Sequence, residues 1–389
     1  MRAEQMMVRC AIYRGGTSKG VYLLENELPK EQELRERVIL AIYGSPDRRQ
    51  IDGLGGADSL TSKVAIIGPS DRPDADVDYT FGQVSITEPL VDWSGNCGNI
   101  SSGVGPFAID EGLVRATEPV TLVRIFNTNT QKIIEARVPV VSGKAAVKGD
   151  CVIPGVPGSG ARILMNFVDS GGAMTGRILP TGRRRDVIAL SNGQELTVSI
   201  VDAANPCVFA RAGDLGVDGT ILPAQIDGNA DLSTTLEEIR SRAGEMIGLV
   251  DDWRMGTRLS PGVPKMILVT DRADYTTSDR RRLGSEQIDL VARAMSMQKA
   301  HKAYPITGTI GTGVAANLEG TLVNELAGGG AWPTLRIGHP AGVISVDVCL
   351  DETDAGLRVK RAVVERTARR ILSGYVYVPL YKVEPGADG

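Results

Sequence analysis

The sequence predicts a mixed α/β (α+β) protein built from two pseudo-symmetric halves. Three observations predict it. The chain has 389 residues, the length of roughly two domains at about 100–200 residues each. Its 46 glycines are scattered outside low-complexity runs, which reads as many tight turns between short strands. Two Gly-rich stretches, one per half, run into small-residue helical patterns: Gly95-Asn96-Cys97-Gly98-Asn99 and Thr307–Gly313. Such a repeat at matched places suggests a pseudo-two-fold fold. We expect halves of residues 1–185 and 186–389, divided at the polar connector Gly182–Asp186, with the terminal strand free to cross back to the first half.

The elements follow in order. Cys10–Tyr13 and Val21–Leu24 read as strands joined through Arg14-Gly15-Gly16-Thr17-Ser18-Lys19-Gly20. That connection is either a plain hairpin turn or a loop whose Thr17 and Ser18 hydroxyls meet a ligand. Leu34–Tyr43 has helical spacing and stops at Gly44-Ser45-Pro46. A Gly/Asp/Ser/Thr loop, Gln50–Ser62, then leads to an apolar strand, Val64–Ile67, with Lys63 as the last polar residue before it. By spacing alone Lys63 is either a solvated strand-edge lysine or a functional one. Asp78–Ile86 is β-rich, and Ile100–Glu111 is helix-like. Cys97 therefore sits where a strand or loop hands over to a helix, beside amides without intrahelical partners. A thiol there is favoured as thiolate, and an anion can dock beside it.

Val120–Phe126, Ile133–Val140, Lys144–Lys148 and Cys151–Ile153 are expected strands, with Asn127–Thr130 as a polar turn or ligand loop. The second half opens with strands Val187–Leu190 and Leu196–Asp202, followed by Cys207 in an apolar run as a core thiol. Leu232–Ile247 is expected to be helical, capped by Ser233, Thr234 or Thr235. Lys265–Val269 reads as a strand, Gln287–Lys299 as a second helix, Arg358–Val364 as a strand, Thr367–Leu372 as a short helix and Gly374–Pro379 as the last strand. In the second Gly-rich stretch Ile310 aligns with Cys97.

Composition excludes several function classes. Hydrophobic residues make up 42%, ample for a core, and the net charge of −4, from 43 basic and 47 acidic residues, gives no nucleic-acid signature. There is no run of 18 apolar residues and no signal-peptide layout at the start, so neither a membrane span nor secretion is expected. Cysteines stand at 10, 97, 151, 207 and 349 without a CxxC pair. That odd, dispersed set fits a reduced cytoplasm better than a disulfide framework or zinc ribbon. The two histidines, His301 and His339, lack metal-ligand spacing and read as structural or substrate-contacting.

The paired helix starts resemble the diaminopimelate epimerase fold. That resemblance implies two halves, each a sheet wrapped around a central helix, with the active site in the interdomain cleft. Longer runs narrow the match: Arg14–Gly20, Gly44-Ser45-Pro46-Asp47, Gln50-Ile51-Asp52-Gly53, Leu60-Thr61-Ser62-Lys63, Val77-Asp78-Tyr79, Gly95–Asn99 and Gly338-His339-Pro340. Together, over nearly the whole chain, they resemble the family of 3-methylitaconate Δ-isomerase, 2-methylaconitate isomerase and 4-oxalomesaconate tautomerase. Arg336–Gly342 and Gly374–Val378 are most similar to the methylitaconate branch. In that family the acid/base pair is the lysine ending T-S-K and the cysteine of N-C-G-N, which map to Lys63 and Cys97. The resemblance implies a cofactor-independent C=C isomerase without a metal, acting in the cytoplasm on a small unsaturated carboxylate. It leaves a homo-oligomer open.

The chemistry explains the residue types. Moving an allylic double bond needs a base and an acid at two carbons, and donors where dienolate charge gathers. A lysine serves as base once burial or a neighbouring cation brings its pKa to about 7–8. The expected oxyanion donors are the amides of Gly98 and Asn99, and of Gly311 and Thr312. Thr17, Ser18, Thr61, Ser62, Asn96 and His339 are the expected side-chain contacts. Other readings remain: an amino-acid racemase, which lacks its second cysteine, a non-catalytic carboxylate binder, or a thiol nucleophile that needs a base beside Cys97.

Overall fold

The computed structural model describes residues 4–353 and 356–383. They form two compact units: the first draws on Met1–Asn129, Ile133–Leu164 and Arg366–Gly389, the second on Thr130–Lys132 and Met165–Glu365. The C-terminal strand thus belongs to the first unit, and the Arg183–Arg185 connector lies within the second. Among the described residues no helix is long and apolar enough to cross a membrane.

In the first unit, β1 (Gln5–Gly15) pairs antiparallel with both β2 (Ser18–Leu24) and the C-terminal strand Ala368–Pro379. Next to β2 runs β3 (Lys63–Pro69), parallel to it, and then β4 (Val77–Val84), antiparallel to β3. The far side of β4 holds the short β5 (Val91–Asp92), antiparallel, and β6 (Val120–Asn127), parallel. Helix α1 (Gln32–Tyr43) buries Val38, Ile39, Ile42 and Tyr43 against Val21, Leu23, Val64 and Ile66. Helix α2 (Gly98–Asp110) is buried at every residue through Ile109, which makes it the axis of the unit. It touches β1, β2, β3, β4, β6 and the C-terminal strand. Gly103 permits that close wrapping, since a Cβ there would lie 2.4 Å from the Tyr22 hydroxyl oxygen.

The second unit repeats the plan. Strands β7 (Asp186–Ala189), β8 (Glu195–Ala203) and β9 (Asn205–Arg211) are successively antiparallel. Strand β9 pairs parallel with β10 (Lys265–Asp271), which pairs antiparallel with β11 (Leu290–Ser296). After it comes β12 (Thr334–His339), parallel to β11. The succession antiparallel, antiparallel, parallel, antiparallel, parallel is the one traced in the first unit from the C-terminal strand to β6. Helix α3 (Ala230–Met246) packs Leu232, Leu236, Ile239 and Ala243 against the sheet, in the place of α1. The buried helix α4 (Ile306–Ala316) takes the place of α2.

Three local expectations are corrected. Gln287–Lys299 is not a helix: β11 occupies its middle, buried on both faces between β10 and β12. Its Ala/Arg/Met composition favours helix, but tertiary pairing outweighs propensity. Arg293 is tolerated there because its guanidinium donates to the carbonyls of Ile221, Thr220 and Ala292. Thr367–Leu372 is likewise extended, since Ala368–Leu372 pairs with β1 from Gly15 to Ile12. The cap of α3 is Asn229, whose side chain accepts the Leu232 amide at 3.0 Å, and not Ser233, Thr234 or Thr235.

Candidate active site

Lys63 opens β3 and is 5% exposed. Its Nζ donates to Gln83 Oε1 and lies 5.3 Å from the centre of the Phe81 ring. Both partners come from β4, two residues apart and therefore on one face. The register places Lys63 opposite Gln83, and Gln83 opposite Asp92 on β5. The chain leaves β5 and reaches Cys97 within a few residues. Cys97 is the N-cap of α2, extended at φ −118° and ψ 98°, and partly exposed. The first bond inside the helix runs from the Ser101 amide to the Cys97 carbonyl at 2.9 Å. The amides of Gly98, Asn99 and Ile100 precede it and are the free donors of this helix start.

The β1–β2 turn is drawn onto the same helix end. The Thr17 amide donates to Asn99 Oδ1 at 3.4 Å. Gly16 has φ +50°, and a Cβ on it would lie 2.1 Å from that same Asn99 oxygen. Only glycine provides both the left-handed backbone and the clearance. The turn leaves the Thr17 and Ser18 hydroxyls buried without a hydrogen-bond partner. Orphaned buried hydroxyls are costly in a free protein, so an incoming acceptor is the natural way to satisfy them.

The other expected contacts divide. Asn96 is buried beside α2, its Oδ1 accepting from Ser101 Oγ at 3.1 Å. The Thr61 hydroxyl donates to the Asp58 carbonyl at 3.1 Å. The Ser62 hydroxyl donates to the Val84 carbonyl at 2.9 Å and accepts from Gln50 at 2.8 Å, so its single O–H is spent on the fold. His339 is 2% exposed, stacks on Tyr304 and accepts the Ala341 amide at Nδ1, 3.2 Å away. Its ring is part of the second unit's packing.

The second helix start differs from the expectation. Pro305 is the N-cap of α4, so Pro305, not Ile310, stands where Cys97 stands on α2. Ile310 is fully buried inside the helix. Gly311 and Thr312 also lie inside it, where amides bond to preceding carbonyls. The Thr312 hydroxyl donates to the Gly308 carbonyl at 2.7 Å and contacts Tyr304. The Thr309 amide already bonds to the Pro305 carbonyl, which leaves Ile306, Thr307 and Gly308 as the first-turn amides. The glycines that relate the two stretches in sequence fall at different depths in the two helices.

Sequence reasoning passed over two residues. Gln83 carries no motif, and only the β3–β4 register places it against Lys63. Lys265 opens β10 as Lys63 opens β3, and its Nζ donates to the Gly262 carbonyl at 2.6 Å. Among the described residues no cluster of three or more His, Cys, Asp and Glu side chains is arranged to hold a metal ion.

The fold, the buried lysine and the cysteine-capped central helix can be set beside known proteins. The family model described as PrpF protein matches residues 5–379. The chain belongs to the PrpF family. The 3-methylitaconate isomerase of Eubacterium barkeri is 53% identical over 383 residues, covering 98% of this chain and all of that protein. A crystal structure of methylitaconate-delta-isomerase superposes with a TM-score of 0.79 at 52% identity, covering 100% of this chain and 99% of the other. A hydroxyproline epimerase from Agrobacterium vitis shares the fold alone, with a TM-score of 0.56 at 11% identity over 97% of this chain and 94% of its own. This PrpF protein is thus an isomerase-family member on an epimerase-type fold.

Proposed function

We propose that the chain is an allylic isomerase of small unsaturated di- or tricarboxylates, of the methylitaconate-to-dimethylmaleate type. Lys63 removes the allylic proton, and the electron pair moves into the conjugated carboxylate as a dienolate. The amides of Gly98, Asn99 and Ile100 meet the developing negative charge, and Cys97 returns a proton at the far carbon. A proton passing from Lys63 to the Cys97 thiolate restores both groups, so the double bond moves with no net gain or loss of atoms or electrons. The reading rests chiefly on one observation: a buried lysine, in contact with a neutral amide and an aromatic ring, on strands that lead to the cysteine capping the central helix. The 53% identity to 3-methylitaconate isomerase supports this substrate over methylaconitate or oxalomesaconate. The five cysteines are thiols, and thiols persist in a reducing cytoplasm, the location we propose.

The test is NMR in D2O with methylitaconate, methylaconitate and oxalomesaconate offered separately. The expected result is isomerisation with deuterium uptake at the allylic carbon, fastest with methylitaconate. Absence of both exchange and isomerisation with all three acids sinks the proposal.

A further inference from the structure

Gln83 has no role in the reaction as written above, yet its side chain is fully committed. It is 6% exposed on β4. Its Nε2 donates to the Ser62 carbonyl at 2.8 Å and to the Ser59 carbonyl at 3.2 Å. Two backbone acceptors leave the amide one orientation, with nitrogen toward the loop and Oε1 toward Lys63 Nζ. The oxygen that meets the lysine is therefore fixed by the same loop that delivers Lys63 to β3.

The second unit provides an internal contrast. Continuing the β10–β11 register, Ile267 to Ala294, places Lys265 opposite Ser296. Ser296 therefore stands where Gln83 stands, and Lys265 Nζ donates to the Gly262 carbonyl. The residue opposite the strand-opening lysine thus differs between the units, an amide at Gln83 and a hydroxyl at Ser296.

We infer that Gln83 is a positioning residue that aims Lys63 while keeping it available as a base. The inference rests on the reading of Lys63 as the proton-transfer group. A neutral amide oxygen gives the amine one directional bond. A carboxylate in its place would hold the ammonium in a charge-assisted pair, about twice as strong, and oppose its deprotonation. The groups recorded around Lys63 are consistent with this. They are Phe81 and Gln83 from β4, and the Tyr43 hydroxyl from α1 at its backbone carbonyl. No carboxylate pairs with Lys63 among the described residues.

The experiment compares kcat and KM across pH for the full-length parent, Gln83→Met and Gln83→Glu, with thermal melts reporting folding. Gln83→Met is expected to lower kcat roughly a hundredfold, as a small misplacement of a reacting group does, with little change in KM. Gln83→Glu is expected to move the acid limb of the kcat profile to higher pH and to recover rate above that limb. Should either variant fail to fold, Gln83→Asn keeps the amide with a shorter reach. It should lower kcat without moving the limb. Variants that fold and match the parent in kcat and pH profile overturn the inference, as does a Gln83→Glu enzyme that melts lower but keeps the parent's pH profile. A Lys63→Met enzyme that still isomerises overturns the Lys63 reading itself, separately from any result at position 83.

Discussion

The hydroxyl of Tyr43, on the last turn of α1, donates to the backbone carbonyl of Lys63 and accepts the Val21 amide at 3.0 Å. One phenol thus fixes the first residue of β3 and a residue of β2 from the helix that covers them. Tyr43 is itself fully buried. Tyr43→Phe keeps the ring and removes the bridge. A buried backbone group left unpaired costs about 1–3 kcal/mol, so a loss of roughly 2 kcal/mol is expected. In urea titration the midpoint should fall with an unchanged slope, and kcat should fall as Lys63 loses its anchor. Unchanged stability and rate together would remove Tyr43 from the argument.

Asp202, on β8, gives a pH signature of the fold. It is fully buried, and burial is the main reason its carboxyl sits above the ordinary value of 3.8. Its Oδ2 accepts from the Met174 amide, the Thr175 amide and the Thr175 hydroxyl, while Oδ1 has no hydrogen-bond partner. The folded state holds this proton more tightly than the unfolded one. Its contribution to stability is therefore complete below 3.8 and is lost as pH rises through the folded-state value. Asp202→Asn cannot titrate. The stability difference between variant and parent should shift in the parent's favour as pH falls from neutral toward 3.8, read by denaturant unfolding at each pH. A difference independent of pH would contradict the assignment.

The sequence made the repeated Gly-rich helix starts visible because α2 and α4 must be small to be wrapped on all sides. It could not date their first turns, since glycine marks close packing at any depth in a helix. The glycine pattern therefore sets Ile310 against Cys97, whereas Pro305 is its counterpart at the helix start. Lys63 and Cys97 stand out as candidates through family resemblance, and Thr17 and Ser18 through their turn chemistry. Gln83 was not legible, because a glutamine in an apolar strand acquires its meaning only from cross-strand register. The β11 error has the same origin: Leu290–Ser296 has helix-favouring residues, and only its neighbours β10 and β12 make it a strand.

The roles of Lys63 and Cys97 separate in isotope exchange. Lys63→Met should abolish both isomerisation and deuterium uptake at the allylic carbon, a loss of about 10²–10⁴-fold or more for an acid/base group. Cys97→Ser should reduce isomerisation on that scale but leave allylic exchange running, because the proposed mechanism gives the first proton transfer to Lys63. Proton NMR in D2O reads both rates in one sample. If exchange and isomerisation fall in parallel in Cys97→Ser, the thiol positions substrate and Lys63 makes both transfers.

Thr17 and Ser18 carry the most direct test of where a substrate carboxylate sits. Their hydroxyls are buried and unpartnered, while Gly16 and Asn99 hold the turn against the helix start. In the free protein such hydroxyls destabilise, since they have left water without gaining a partner. Ser18→Ala and Thr17→Val should therefore raise the melting temperature of the free protein slightly. The same changes should weaken substrate binding, because a hydrogen bond to a charged group is worth about 1.5–3 kcal/mol. That corresponds to a KM increase of roughly tenfold or more, with a smaller effect on kcat. Opposite movements of stability and affinity are the signature of polar groups held in place for a ligand. A fall in stability with an unchanged KM would instead make both hydroxyls part of the turn alone, and the carboxylate would have to be sought at another face of the α2 start.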